Sequence, residues 1–189
     1  MTTPLSQGTE DGLTLVELLI YLFVFVIVLG GLATVFVAAW QADARARERD
    51  TATGLAQFVT SSVQQSVRNA SGTPVISEGG TLLRARVAVD ATGWKCRGWV
   101  VDPHGDLRYT ERNGAIPAGP YTDAAGWTVI ASGFTGAASG GAAFTAGSAR
   151  EVEMNVRVAL GEVTVTATAG ATAQGAGRAG SGAEISCVP

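Results

Sequence analysis

Lysine and arginine are missing from the first 44 residues of this 189-residue chain; all 13 lie at or beyond Arg45. A secretory signal peptide begins with basic residues and has a short apolar region ahead of a small-residue cleavage site. The start of this chain carries only Glu10 and Asp11 as charges, so that reading fails at its first requirement. Histidine is nearly absent: His104 is the sole one, which leaves a hydrolytic triad through His poorly supported. Cysteine is limited to Cys96 and Cys187, too far apart for zinc-ligand spacing. A Gly-rich phosphate loop is also lacking. Beyond Trp40 the 13 basic residues meet 13 acidic ones, because Glu10, Asp11 and Glu17 precede it. Such a neutral segment argues against electrostatic capture of DNA, which needs a basic patch.

What the chain does have is one long apolar run. From Leu18 to Trp40 there is no Asp, Glu, Lys or Arg, and about 20 such residues suffice to span a bilayer as a helix. Tyr21 and Trp40 would stand roughly 28 Å apart at 1.5 Å per residue, a spacing suited to two interface anchors or to simple packing. Glu17 is the anomaly, a single carboxylate at the mouth of the run. An ionisable group there is a functional candidate by default.

Gly12-Leu13-Thr14-Leu15-Val16-Glu17-Leu18-Leu19 resembles the processing site of type IV prepilins and pseudopilins. The resemblance implies cleavage after Gly12, methylation of Leu13 as the new N-terminus, and a filament-assembly role for Glu17. Leu13 stands where Phe is more usual, and the leader lacks the usual basic residues. The resemblance also implies a single pass in the cytoplasmic membrane, leader inside and head outside, and later residence in a surface or envelope filament. Arg45, Arg47 and Arg49 point the other way under the positive-inside rule, which by itself would place that end in the cytoplasm. The implied partners are a prepilin peptidase, other pilins, an assembly ATPase with its platform protein, and membrane lipid before assembly. Gly30 and Gly31 lie mid-run; the family's partial helix melting there is one reading, and ordinary membrane-helix glycine is the other.

The domain plan has four parts: a cleaved leader over 1–12, a membrane or filament-core helix over 13–40, an amphipathic continuation over 41–70, and a β-rich extracytoplasmic head over 71–189. Leu55, Phe58, Val59, Val63 and Val67 recur at helical steps and form the expected apolar stripe. Asn69 to Pro74 supplies the stop. Strands are expected at Leu82–Val89, Trp94–Val101, Leu107–Arg112, Trp127–Ala131, Val152–Leu160 and Val163–Thr168. Gly161-Glu162 makes a tight hairpin between the last two. The fold class is therefore α+β, a long helix packed on an antiparallel sheet with one face left to solvent. Gly133–Gly147 and Ala169–Ala183 are Gly/Ala/Ser/Thr-rich and read as mobile loops.

Cys96 and Cys187 would form one disulfide outside the membrane, worth roughly 4–5 kcal/mol for so long a loop; two buried free thiols are the alternative. Asp102, His104 and Asp106 alternate within one turn, a weak metal set in residues that turns use anyway. No cofactor motif is present. Trp94, Trp99 and Trp127 read as sheet-core residues. The reading is a non-enzymatic minor pilin or pseudopilin serving a pilus, DNA-uptake or secretion machine. One rival is a non-polymerising anchor with a ligand-binding head; another is a membrane-tethered enzyme. A DNA-binding variant would need Arg84, Arg86, Arg97 and Arg108 on one exposed face.

Overall fold

The computed structural model describes residues 14–89, 93–148, 150–175 and 187–189. Helix α1 (Leu15–Arg68) comes first, followed by nine strands: β1 (Val75–Ser77), β2 (Leu82–Ala88), β3 (Trp94–Val101), β4 (Asp106–Arg112), β5 (Thr128–Ser132), β6 (Phe134–Gly136), β7 (Phe144–Ser148), β8 (Glu151–Leu160) and β9 (Val163–Thr172). The chain divides into two compact units at Ala44/Arg45. The first holds the apolar part of α1. The second holds the rest of α1 and every strand.

Within the second unit, α1 contributes Ala52, Ala56, Val59, Val63 and Val67, each at most 2% exposed. Their steps of three and four place them on one face. The stripe is rotated from the expected one: Phe58 is exposed and Leu55 only partly buried. Ala52 and Ala56 occupy the buried face, and Phe58, one residue before Val59, falls about 100° away from it.

The strands form two antiparallel sheets rather than one. The first runs β1-β2-β3-β4-β5; in the second, β8 is central, paired with β6, β7 and β9. Leu83, Trp99, Val101 and Leu107 from the first join Phe134, Phe144, Val152, Met154, Val156 and Val158 from the second around the α1 stripe. The expected alternation of β8 holds, with Val152, Met154, Val156 and Val158 buried and Glu153 and Arg157 exposed. Gly161-Glu162 links β8 to β9 with Leu160 opposite Val163, as a two-residue connection requires.

The solvent-facing side expected from the last strand pair holds on β8, but the first sheet is covered on both faces: opposite the helix, Leu82, Cys96 and Val100 pack with Ile116, Trp127 and Cys187. Gly98 makes this cover fit, since a Cβ there would stand 3.0 Å from the Trp127 ring and 3.1 Å from Ile116. The low-complexity tracts are also not simply loops. Gly133–Gly147 contains β6 and most of β7, and its two phenylalanines, Phe134 and Phe144, are among the most buried side chains. Its glycines serve close backbone approach: a Cβ on Gly136 would lie 1.9 Å from the Gly141 carbonyl oxygen. Of the second tract, residues 169–172 belong to β9 with Ala171 buried, and residues 176–183 lie outside the described residues.

Phe134→Ala should lower stability by about 3–5 kcal/mol, whereas Phe58→Ala should change it by no more than about 0.5 kcal/mol. Chemical denaturation of the full chain in detergent micelles measures both. Equal effects would refute this placement of the core.

Candidate functional site

The N-terminal turn of α1 is set by Thr14, whose hydroxyl accepts the Glu17 backbone N–H at 3.3 Å while its carbonyl accepts from Leu18 N–H at 3.1 Å. Thr-Leu-Val-Glu thus has the spacing of a capping box. The Glu17 side chain does not close that box; it turns the other way, and Oε1 accepts the Tyr21 hydroxyl at 3.1 Å. A carboxylate in the first turn is favoured by the helix dipole. Tyr21 is a partner that sequence reasoning missed, although the four-residue spacing was its signal. Gly12 and Leu13 lie outside the described residues.

Beyond Glu17 the helix is bare. Every large apolar side chain from Leu15 to Trp40 is exposed, from 47% at Leu29 to 78% at Leu15. The helix is long and apolar enough to cross a membrane. It runs unbroken through Gly30 and Gly31. Nothing lies within 4 Å of a Cβ placed on either glycine, and the Thr34 hydroxyl donates to the Gly31 carbonyl at 2.7 Å. Phe36 and Trp40 stack at a centroid distance of 6.3 Å.

In the head, Cys96 of β3 and Cys187 are joined by a disulfide with Cα atoms 5.5 Å apart. It is buried, and the Cys187 carbonyl accepts from Ile116 N–H at 3.1 Å. The bond therefore pins the chain end and the β4–β5 connection onto the same face of the first sheet.

Asp102, His104 and Asp106 form a turn organised by the Asp102 carboxylate. The Asp102 carboxylate accepts from the backbone N–H groups of His104 and Asp106 at 2.8 and 3.0 Å and from Arg108 Nε at 2.9 Å. Burial works to raise its carboxyl, but those N–H groups and Arg108 outweigh it and hold it below the ordinary carboxylate range. Asp106 is committed to Arg108 and Ser132. No metal-ligating group of three side chains occurs among the described residues.

The arginine face needed for DNA does not form. Arg84 and Arg97 are one residue out of phase across the β2–β3 register, because Arg84 pairs with Gly98 and Arg97 with Ala85. Opposed residues share a sheet face and neighbours alternate, so Arg97 lies on the helix side, opposite to Arg84, Arg86 and Arg108. Arg84 is also buried, donating to the Ile116 carbonyl and Ser77 hydroxyl. Arg108 is spent on Asp102, Asp106 and Asp123. Trp99 and Trp127 are core residues as expected, but Trp94 is 37% exposed with the Arg86 guanidinium 5.0 Å above its ring.

A second polar cluster is one that sequence reasoning did not single out. Glu111 on β4 accepts from Lys95 Nζ at 2.7 Å, Arg97 Nε at 2.8 Å and the Tyr109 hydroxyl at 3.0 Å. Lys95, Arg97 and Tyr109 hold the Glu111 carboxyl down to about 2 although burial opposes them. Burial, with Glu111 beside it, pushes the Tyr109 hydroxyl up to about 12 against the Arg97 charge. Strand alternation brings these groups together: Arg97 stands opposite Glu111, with Tyr109 two residues away on the same face. The arrangement locks β3 to β4 beneath the helix.

Fold and site define a class: an N-terminal helix of membrane-spanning length and composition, with an α+β head closed by a disulfide. The chain matches no protein-family model, no curated protein and no solved structure.

Because the Glu111 carboxyl is depressed in the fold, its stabilisation is complete above about pH 4.5 and lost as pH falls toward about 2. The stability gap between wild type and Glu111→Gln should therefore close across that window in acid denaturation. A gap independent of pH would contradict the assignment.

Proposed function

We propose that this chain is a structural subunit, a minor pilin or pseudopilin, of a type IV pilus-like, competence or secretion filament that assembles out of the membrane through α1. The observation that carries the reading is Glu17. It is a lone carboxylate in the first turn of a helix whose apolar side chains from Leu15 to Trp40 have no protein cover. A prepilin peptidase cutting after Gly12 would create an amine at Leu13, four residues before that carboxylate. In lipid, both groups reach the interface. In a filament core, both would be buried, and each unpaired ion would cost several kcal/mol.

A Glu17 carboxylate opposite the Leu13 amine of a neighbouring subunit relieves that cost only when the helices dock in register. The pair selects geometry and adds little net stability. Gly30 and Gly31 allow close helix approach or local unwinding as subunits pack. The mechanism involves no chemistry by the head: an assembly ATPase and its platform protein supply the work, and sibling pilins supply the contacts. Orientation follows the family, with the leader in the cytoplasm and the head outside. DNA as a partner has no support from the head's charge, since the arginines that would serve it are committed elsewhere.

Intact-mass measurement of the chain, expressed with and without its prepilin peptidase, tests the first step. Loss of residues 1–12 and gain of one methyl group are expected only with the peptidase; an unprocessed chain in both samples would overturn the reading. Glu17→Ala tests the second step. It should insert into membranes as wild type does but enter sheared filaments at least about tenfold less, the equivalent of about 1.4 kcal/mol in docking. Equal incorporation would remove the role assigned to the carboxylate.

A further inference from the structure

A cavity of about 300 Å³ opens in the head between the Glu78–Gly80 turn, the Asp102–Asp106 turn and β6. Val101, Pro103 and Phe134 give it an apolar wall, and Tyr121 borders it. Two carboxylates line it, Glu78 and Asp102, and only Asp102 is neutralised, by Arg108 at 2.9 Å. No lysine or arginine lines the cavity among the described residues. The unpaired charge of its lining is therefore that of Glu78, while the buried Arg84 guanidinium, hydrogen-bonded to Ser77, acts on Tyr121 from outside the lining.

Glu78 is placed there against its own backbone preference. It is the only non-glycine with positive φ among the described residues, at +53°, and is followed by Gly79 and Gly80 at +65° and +90°. A glycine at position 78 would adopt this left-handed turn more readily. The turn is nonetheless held firmly, since both the N–H and the hydroxyl of Thr81 donate to the Glu78 carbonyl, at 3.3 and 2.9 Å. A side chain kept in a disfavoured conformation at a cavity rim points to a role for that side chain. The Tyr121 hydroxyl donates to Oε2. Oε1 has no hydrogen-bond partner among the described residues.

We propose that this cavity binds a primary ammonium group on an aliphatic stem, with Glu78 as its counter-ion. The ammonium would sit against Oε1 and the Tyr121 oxygen, whose proton is already directed to Glu78. The stem would lie along Val101, Pro103 and Phe134. A guanidinium suits the site less well, because a two-point fork needs both carboxylate oxygens and one is engaged. Anions are repelled by Glu78. A lysine side chain and a small alkylamine share the chemistry that fits. This site stands apart from the filament reading, and either can fail without the other.

The test is an amide-resolved NMR titration of the full chain in detergent micelles. The probes are n-butylammonium, Nα-acetyl-lysine methylamide and the neutral Nα-acetyl-norleucine methylamide. Saturable shifts at the Gly105 and Gly136 amides are expected with an amine and not with the norleucine compound. Glu78→Gln should weaken binding at least about tenfold, a loss in line with removal of a charge-assisted hydrogen bond. Glu78→Gly should also lose binding while its Tm stays level or rises, which separates loss of the carboxylate from loss of the fold. Response to both amines identifies a site open to a protein lysine, and response to butylammonium alone identifies a free small amine; each supports the counter-ion role. Absence of saturable shifts with either amine, or equal affinity in both variants, would overturn it.

Discussion

Bare apolar surface on the first half of α1 is the constraint that governs this protein. Nineteen large apolar side chains between Leu15 and Trp40 lie open. At roughly 1.5–3 kcal/mol for each such side chain left in water, the sum is on the order of tens of kcal/mol. That free energy is gained wherever the segment finds an apolar surround. Lipid and other apolar helices both supply one, and a bilayer treats them almost alike, because acyl chains are as apolar as leucine. Discrimination between the two must come from something polar. Glu17, oriented by Tyr21 and placed in the first turn by Thr14, is the polar group available to do it.

The second half of the same helix solves a different problem. Its stripe of Ala52, Ala56, Val59, Val63 and Val67 is narrow and begins with the smallest apolar side chains. It joins residues of both sheets, Phe134 and Phe144 among them, in one buried cluster. The opposite face of the first sheet has no helix to cover it. There the β4–β5 connection brings Ile116 and Trp127, and the disulfide brings Cys187. The disulfide ties that cover to β3 and limits the freedom of the unfolded chain.

Much of this was legible in the sequence because it rests on period and composition. The span, the helix end near Asn69 and the β8–β9 hairpin with its alternating faces follow from local pattern, and the disulfide, weighed against two free thiols, from there being only two cysteines. What could not be read are features decided by tertiary contact. Phe58 has the hydrophobicity of a core residue, but the buried face runs through Ala52, Ala56 and Val59 and leaves it outside. Gly133–Gly147 has a loop's composition, yet its glycines serve strand crossing and its two phenylalanines are core. Arg84, Arg86, Arg97 and Arg108 look like a basic set until the register shows that they divide between two faces. Tyr21 and the Glu111 cluster had signals in four-residue and two-residue spacing, but such pairs recur by chance in most chains.

The head's charges bear on how subunits would find one another. Arg108 is spent on three aspartates, and Glu111 on two cations and a phenol. Basic and acidic residues are also balanced over the chain beyond Trp40. A head so neutralised exerts little field beyond a Debye length of about 8–10 Å. Long-range steering is therefore weak, and in the filament reading selection of neighbours falls to short-range terms: the shape of the head and the register of the helix. On that reading, pairing across subunits by Glu17 would be a short-range term of this kind, negligible until the helices are nearly docked. With Arg108 and Glu111 committed inside the head, the filament reading leaves the choice of helix register to the one carboxylate at the start of the bare helix, while the Glu78 charge of the head belongs to its cavity.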